Sequence, residues 1–224
     1  MSNQRELDRC PAGSVTDCFE FNQTLRQRVR HNLELLYRVP SSDSALLPAA
    51  VAIVLTDDGD QPCFVLTRRS SSLQRHSGQY ALPGGRRDDG EAIVDTALRE
   101  LREELGLTVE PASVLGCLDD FPTRSGFSIT PVVIWAGPDL VLDPDPGEVD
   151  AVFRIPLWDL AQPRIPRLEY VDDCPRPVLS AFFETLDDEV FAPTAAILFQ
   201  FREVALYGRA TRVAHFEQPR FAWK

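Results

Sequence analysis

The sequence predicts an α/β layered domain, and three patterns along the chain support that fold class. Apolar, β-branched runs that are typical of strands occupy residues 49–56 and 63–67. An amphipathic helical stretch at residues 85–107 follows them, and further strand-like runs come after it. A second apolar helical pattern lies near the C-terminal end. Strands on both sides of a central helix, with another helix at the end, are expected to form layers of helix and sheet.

The first 40 residues are predicted to form a tail and a helix that packs on a domain comprising residues 41–224, giving one domain overall. Residues 1–15 have no periodic pattern. An apolar stripe then runs from residue 16 to Pro40, as expected for a helix. The stripe consists of Phe21, Leu25, Val29, Leu33 and Leu36. It fits core packing or a contact between two copies, so a monomer and a homodimer are both open.

The predicted strands follow from composition and from the turns between them. Asp57-Asp58-Gly59-Asp60 has the residues of a hairpin turn between the first two strands. The later predicted strands are residues 113–118, 127–135, 149–155 and 178–183, the last of them closing the sheet. Pro131 cannot donate a backbone hydrogen bond, so we expect an edge or a bulge there. Pro193 and Gly208 bound the predicted C-terminal helix.

Three glutamates crowd one side of the central predicted helix. At 100° per residue, Glu100, Glu103 and Glu104 span about 100° of the helix circumference. A separate apolar stripe consists of Val94, Ala97, Leu98, Leu101 and Leu105. Gly106 follows the last apolar residue, as a left-handed cap would. A solvated acidic face would account for one pair of glutamates, but a structural helix does not require three.

The charge changes sign directly before this helix. Residues 61–87 contain five arginines and no acid, whereas residues 88–110 contain eight acids and two arginines. The five are Arg68, Arg69, Arg75, Arg86 and Arg87. A cationic loop beside an acidic helix indicates one site, in which arginines hold substrate phosphates and carboxylates hold a metal ion. Each arginine taken alone also fits a surface charge that neutralises the acids.

Composition excludes several classes of function. The net charge of −11 argues against nonspecific binding to nucleic acid or to an anionic membrane, because both require a basic surface. We expect a cytoplasmic protein, because the sequence has neither a signal-peptide pattern nor an apolar run of about 18 residues. Five widely spaced cysteines without a paired CxxC motif predict free thiols and no zinc site.

Residues 85–107 also match a known motif: a glycine, five residues, a glutamate, seven residues, then Arg-Glu-aliphatic-x-Glu-Glu-x-Gly-aliphatic. The matching positions are Gly85, Glu91, Arg99, Glu100, Leu101, Glu103, Glu104, Gly106 and Leu107. If each fixed residue type occurs at roughly 5 to 10 per cent, chance gives such a match on the order of once in 10^9 windows. The chain therefore resembles the Nudix hydrolases. That resemblance implies an α/β/α sandwich with a mixed β-sheet between helices.

The same resemblance implies roles for individual residues. It predicts a Mg²⁺ or Mn²⁺ site formed by Glu100, Glu103, Glu104 and the carbonyl group of Gly84. Arg99 is expected to orient the glutamates, and Glu91 to support Arg99. Two residues are candidates for the general base that activates water. One is Glu103 in the helix, and the other is Glu148, which otherwise fits an acid of no special role at the entry to a strand.

A second stretch, residues 65–85, is similar to the upstream signature of coenzyme A pyrophosphatases. The fitting residues are Leu66, Thr67, Arg69, Ser70, Gly78, Pro83, Gly84 and Gly85. Gln74 stands where that signature has arginine, and Leu82 where it has phenylalanine. Residues 125–133, 148–157 and 194–197 are also similar to that subfamily. The predicted substrate-binding residues are Arg68, Arg69, Arg75, Gly84 and Gly85.

The resemblance implies a small nucleotide substrate, coenzyme A or acyl-CoA, cleaved to phosphopantetheine or its acylated form and adenosine 3',5'-bisphosphate. ADP-ribose or another nucleoside diphosphate derivative is the alternative substrate. It is suggested by Pro122, fifteen residues after Leu107, where ADP-ribose pyrophosphatases often have proline. An alternative of another class is a non-catalytic sensor that binds a nucleotide and regulates a partner. The complete set of glutamates disfavours the sensor.

Overall fold

The computed structural model describes residues 19–59, 61–71, 78–171 and 174–220. The predicted tail at residues 1–15 lies outside these ranges, and so does the predicted substrate-binding residue Arg75. The free cysteines among the described residues are Cys63, Cys117 and Cys174. Within the same ranges, no helix is both long enough and apolar enough to cross a membrane.

The helices and strands alternate as an α/β chain does. The helices are α1 (Gln23–Leu35), α2 (Ile93–Leu105), α3 (Leu157–Leu160) and α4 (Thr194–Phe201), with a 3₁₀ turn at Pro111–Ser113 and a π-helical turn at Arg202–Leu206. The strands are β1 (Leu47–Asp57), β2 (Pro62–Arg69), β3 (Tyr80–Ala81), β4 (Gly84–Arg86), β5 (Val114–Cys117), β6 (Phe121–Pro122), β7 (Phe127–Gly137), β8 (Val149–Pro156), β9 (Arg167–Glu169), β10 (Val178–Phe183) and β11 (Asp188–Phe191).

The larger sheet has eight strands and is mixed. β1 and β2 form the predicted antiparallel hairpin, while β1 and β7 run parallel. β8 pairs with β2, and β5 and β6 pair with β7. Away from the hairpin turn, β3 pairs with β2 and β4 pairs with β1. The chain between β2 and α2 is thereby drawn into the sheet, which brings Gly84 and Gly85 against β1.

Each face of this sheet is covered, which confirms the predicted α/β/α sandwich. On one face, Ala97, Leu101 and Leu105 of α2 pack with Ala52 and Ile134. On the other face, a larger apolar core joins α1, α4 and a small second sheet to the strands. Apolar area removed from water contributes roughly 25 cal/mol per Å², so these two cores supply the main favourable term in folding.

Helix α1 is shorter than the sequence predicts. The apolar stripe predicts a helix from residue 16 to Pro40, but α1 begins after Asn22, whose side-chain oxygen accepts a hydrogen bond from the amide of Leu25 at 3.0 Å. That side chain satisfies an amide that the first turn leaves without a partner. Extended backbone at Leu36 ends the helix.

The smaller sheet is antiparallel, with the order β9, β10, β11. The prediction that residues 178–183 form the last strand is wrong, because β11 follows that strand after a turn at residues 184–187. Asp159 stabilises the turn from below: its fully buried carboxylate accepts hydrogen bonds from the amides of Glu184 at 3.1 Å and Thr185 at 2.9 Å. The sequence gives no sign of this contact, since it joins residues about 25 positions apart.

The edge or bulge predicted at Pro131 is also wrong. β7 has β1 on one side and both β5 and β6 on the other. The carbonyl of Pro131 accepts a hydrogen bond from the amide of Leu118 at 3.0 Å. Because N–H and C=O of one strand residue point to the same side, the missing N–H of Pro131 falls in the interval between β5 and β6. A central strand accepts proline where its neighbour is interrupted.

Gly84 lies where the fold leaves no room for a side chain. Its φ angle is +153°, and an added Cβ would lie 2.2 Å from the carbonyl oxygen of Ala50. The amide of Gly84 donates a hydrogen bond to Oε2 of Glu104 at 3.1 Å. A glycine at this position therefore lets β4 pair with β1 and touch α2 at the same time.

Gly84→Ala is expected to lower the free energy of unfolding by about 3 kcal/mol or more, because overpacking and a strained φ each cost about 1 to 3 kcal/mol. Gly90→Ala is the matched control. Gly90 also has positive φ, +80°, but nothing lies within 4 Å of an added Cβ. The control should lose only about 1 to 2 kcal/mol. Urea unfolding of both variants measures the difference, and equal losses would contradict the packing argument.

Candidate active site

Arg99 holds together a cluster of carboxylates on and before α2. Its Nε and Nη2 donate to the two oxygens of Glu91 at 3.0 and 3.3 Å. Its Nη1 donates to Oε1 of Glu100 at 2.7 Å and to Oε2 of Glu103 at 2.8 Å. Nη2 also donates to the carbonyl of Arg86 at 3.0 Å. One guanidinium group thus fixes three acidic side chains and the end of β4, because its planar donors reach several acceptors at once.

Glu91 is the main partner of Arg99. Hydrogen bonds from Arg99 lower the pKa of Glu91 to about 2, and Thr96 and the amide of Asp88 donate to the same carboxylate. The ion pair with Glu91 in turn raises the pKa of Arg99. Both groups therefore stay charged at neutral pH. The predicted support of Arg99 by Glu91 has a direct structural counterpart in these contacts.

Glu104 is the most deeply buried of the three helix glutamates, with 3% of the residue exposed. Burial raises its pKa to about 7. The amide of Gly84 and the guanidinium of Arg69 oppose that rise, the nearest Arg69 nitrogen lying 3.8 Å from Oε1. A carboxylate held in this way is fully ionised only when more positive charge comes close to it.

Glu100 lies beneath the second glycine of the β4 segment. An added Cβ at Gly85 would come within 2.5 Å of Oε1 of Glu100, so a side chain there would displace the carboxylate. Burial raises the pKa of Glu100, although Arg99 works in the opposite direction. Glu103 differs from both neighbours, since 48% of its side chain is exposed to solvent.

The structure brings Glu148 to this cluster. Its negative charge contributes to the raised pKa values of Glu100 and Glu104. The loop before β8 is tied to the C-terminal end of α2, where the amide of Asp145 donates to the carbonyl of Glu104 at 3.0 Å. The carbonyl of Glu148 accepts a hydrogen bond from the amide of Ser70, next to Arg69. Residues from four separate segments thus meet at one place.

The chemistry of these donors fits a hard divalent cation. Within the described residues, no three His, Cys, Asp or Glu side chains are arranged as a metal site. Glu100 and Glu103 each direct an oxygen to Arg99. The remaining donors are carboxylate and carbonyl oxygens, which Mg²⁺ and Mn²⁺ prefer. Like-charged carboxylates with raised pKa values are the groups that such a cation would keep ionised.

A cavity of about 520 Å³ opens beside Gly84 and Gly85. Its walls come from the first residues of β1 and β7, from β3 and β4, and from β11 and the start of α4. The apolar side chains along it include Val51, Leu82, Phe127, Ile129, Val190 and Ile197. Arg69 and Arg86 line the same cavity, so it is continuous with the carboxylate cluster.

The sequence did not predict the cavity wall that is formed by β11. Asp188 of β11 lines the cavity next to Tyr80 of β3. Burial raises the pKa of Tyr80, and the charge and hydrogen bond of Asp188 raise it further. The acid-rich turn at residues 184–187 was the available signal for another strand. Of the predicted substrate-binding arginines, Arg69 lines the cavity, whereas Arg68 lies beside Tyr80 and is absent from the described lining.

Comparison with known protein families shows which family the chain belongs to. A family model described as the NUDIX domain matches residues 46–174, more than half of the chain. The chain belongs to the Nudix family. The matched segment contains the whole Nudix box at residues 85–107 and also Arg69 and Glu148.

Individual relatives agree with that assignment. An uncharacterized Nudix hydrolase, NudL, of Yersinia enterocolitica is 34% identical over 134 residues, which cover 59% of this chain and 68% of that protein. The NudL protein of Cronobacter sakazakii is 42% identical over 98 residues, covering 43% and 51%. The chain thus spans about half to two thirds of these relatives. They place it among the Nudix hydrolases.

Among solved structures, a MutT protein of Methanosarcina mazei covers 56% of this chain and 83% of its own. It has 21% sequence identity to the chain and a TM-score of 0.42.

Glu91→Gln is expected to destabilise the metal-free protein at pH 7 by about 1 to 3 kcal/mol, because the pKa of Glu91 falls from 4.5 to about 2 on folding. A depressed pKa stabilises the fold above pH 4.5, and that stabilisation is lost as pH falls towards 2. The difference between wild type and variant should therefore shrink below pH 4. Chemical denaturation in EDTA across this range measures it. Glu110→Gln changes an exposed glutamate and should leave the curve unchanged.

Proposed function

We propose that this Nudix hydrolase cleaves the pyrophosphate bond of a nucleoside diphosphate linked to another moiety, with Mg²⁺ or Mn²⁺ as cofactor. The observation that carries the proposal is the gathering of Glu100, Glu103 and Glu104 around Arg99 at the edge of a cavity. A pyrophosphate is a polyanion that repels hydroxide, so its cleavage requires positive charge next to the reacting phosphorus. A net charge of −11 makes a local supply of cations necessary.

Each residue near the cluster has a proposed part. Glu100, Glu103, Glu104 and the Gly84 carbonyl would hold the cation. A bound divalent cation would neutralise phosphate oxygens and lower the pKa of the attacking water. Arg99 keeps the carboxylates in place before a substrate arrives, so that little reorganisation is needed in the transition state.

Arg69 is the proposed contact to the substrate phosphates. Its Nε is buried and has no hydrogen-bond partner among the described atoms. A buried donor without an acceptor is costly, and an incoming phosphate oxygen would satisfy it. Gly84 and Gly85 border the cavity beside it and let a phosphate approach the backbone. Arg68 and Arg75 remain proposed contacts on the ground of sequence.

Two carboxylates compete for the role of general base. Glu103 is exposed, and one of its oxygens is held by Arg99 at 2.8 Å. Glu148 is half-buried, and its charge acts on Glu100 and Glu104. A general base must reach the proton of the attacking water directly or through one other water molecule. We assign the role to Glu103, with Glu148 as the alternative.

Coenzyme A or acyl-CoA is the proposed substrate. The signature at residues 65–85 supports it, and so does a cavity whose lining is largely apolar. Leu82, in place of the signature phenylalanine, is buried and lines that cavity, so bulk is kept at this position. Gln74 lies outside the described residues. ADP-ribose is the alternative, but Pro122 is exposed on β6 and does not line this cavity within the described part of the chain.

Incubation with Mg²⁺ or Mn²⁺ and a panel of substrates tests the activity. The panel contains CoA, acyl-CoA, ADP-ribose, NADH and diadenosine polyphosphates, and chromatography identifies the products. We expect phosphopantetheine, or its acylated form, and adenosine 3',5'-bisphosphate to form at the highest kcat/KM, and EDTA to abolish turnover. Preferred cleavage of ADP-ribose would show that ADP-ribose, the alternative substrate, is the correct one. Binding without turnover of any compound would favour a nucleotide sensor.

Glu103→Gln is expected to lower kcat by about 10^2 to 10^4-fold, the range for loss of a general base, or by more if metal binding fails as well. Glu148→Gln is expected to have a much smaller effect. Steady-state kinetics at saturating metal compares the two, and Glu110→Gln is the control for a neutralised glutamate elsewhere. A larger loss in Glu148→Gln than in Glu103→Gln would transfer the role to Glu148.

A further inference from the structure

Charge is unevenly distributed around the active-site cavity. Among the described lining residues, the basic ones are Arg69 and Arg86. Arg69 lies next to Glu104, and the backbone of Arg86 contacts Arg99, so both belong to the carboxylate cluster. The β11 wall carries the acids Asp188 and Glu189. The arginines of the lining therefore lie at the carboxylate cluster, and its acids lie on the β11 wall.

The acids of the β11 wall differ in how they are satisfied. Glu189 accepts a hydrogen bond from Ser180 at 2.7 Å and lies 3.4 Å from Arg167. Asp188 is exposed and interacts with the hydroxyl group of Tyr80. Asp188 and Tyr80 thus form a polar pair beside the apolar side chains of Val190 and Ile197, and Arg68 also interacts with the Tyr80 hydroxyl. Such a pair accepts hydrogen bonds from amide and hydroxyl groups, and Asp188 repels a phosphate.

We propose that this cavity binds the uncharged arm of the substrate, pantetheine with its acyl group, and that the β11 wall selects for it. The proposal rests on the CoA activity proposed above. Pantetheine offers two amides and a hydroxyl group to Asp188 and Tyr80, and an acyl chain would lie along Ile129, Val190 and Ile197. The volume of about 520 Å³ is in the usual range of about 300 to 1,000 Å³ for sites of this kind.

The opposite orientation would place the adenosine half in the cavity, with its 3'-phosphate near a neighbouring groove. Thr123 and Gln218 line both spaces, so the groove adjoins the cavity. It contains Arg124 and Arg176, but also Asp43 and Glu217. Arg124 already donates to both oxygens of buried Glu217, with Nε 3.1 Å from Oε1. The groove is close to neutral, which makes it a poor phosphate site and favours the first orientation.

Binding of the two product halves distinguishes these orientations without turnover. Ile129→Phe adds bulk to the cavity wall at a half-buried position away from the carboxylates. By titration calorimetry, the variant should bind hexanoyl-phosphopantetheine about tenfold or more weakly, because overpacking costs about 1 to 3 kcal/mol. Adenosine 3',5'-bisphosphate should bind as it does to wild type. Val141→Phe, at a residue that is 85% exposed, is the matched control.

Weaker binding of the bisphosphate, with unchanged binding of the phosphopantetheine compound, would overturn the proposal. Equal weakening of both halves would overturn it as well. If Ile129→Phe does not fold, Ala81→Leu fills the same cavity from β3. The proposed CoA activity has its own test: it is excluded if the wild-type protein hydrolyses no CoA compound. Selective loss of phosphopantetheine binding in the variant would support the cavity assignment even then.

Discussion

The rest of the site depends on the close approach of Gly84 and Gly85 to their neighbours. Gly84 presses against the backbone of β1, and Gly85 lies over the carboxylate of Glu100. The Gly84 amide also binds Glu104. A side chain at Gly84 would separate β4 from β1, and one at Gly85 would displace the carboxylate of Glu100. The positions of the Glu100 and Glu104 carboxylates therefore depend on two residues without side chains.

Electrostatics sets a second constraint on the same residues. Arg99 binds Glu91, Glu100 and Glu103, so one positive charge faces three negative ones before Glu104 and Glu148 are considered. Arg69 lies 3.8 Å from Glu104 and compensates only part of that charge. The carboxylates of this cluster therefore outnumber its guanidinium groups. A divalent ion bound there would stabilise the folded protein as well as the reaction, since metal binding and folding are coupled.

The predictable parts of this protein are those that are encoded by local spacing. Helix α2, its apolar face and its cap at Gly106 follow from periodicity, and the place of Arg99 beside Glu100 and Glu103 agrees with a motif of fixed spacing. Strand β11 and the tolerance of β7 for Pro131 were not predictable, because they depend on Asp159 and on the break between β5 and β6. Tyr80 and Asp188 meet only in the folded chain, so the cavity wall had no sequence signature. The sequence did not predict these features because each depends on contacts between residues that are far apart in the chain.

The two glycines also lie between the carboxylate cluster and the cavity. On one side of the β4 segment lie the glutamates of α2, whose geometry is fixed by Arg99. On the other side lies a cavity whose wall comes from β11 and α4, elements that contribute nothing to the carboxylate cluster. The apolar residues Val190 and Ile197 of that wall pack in a different core from Leu101 of α2. In the proposed function, the Nudix box would determine which bond is cleaved, while Asp188, Tyr80 and their neighbours would determine which molecule is held there for cleavage.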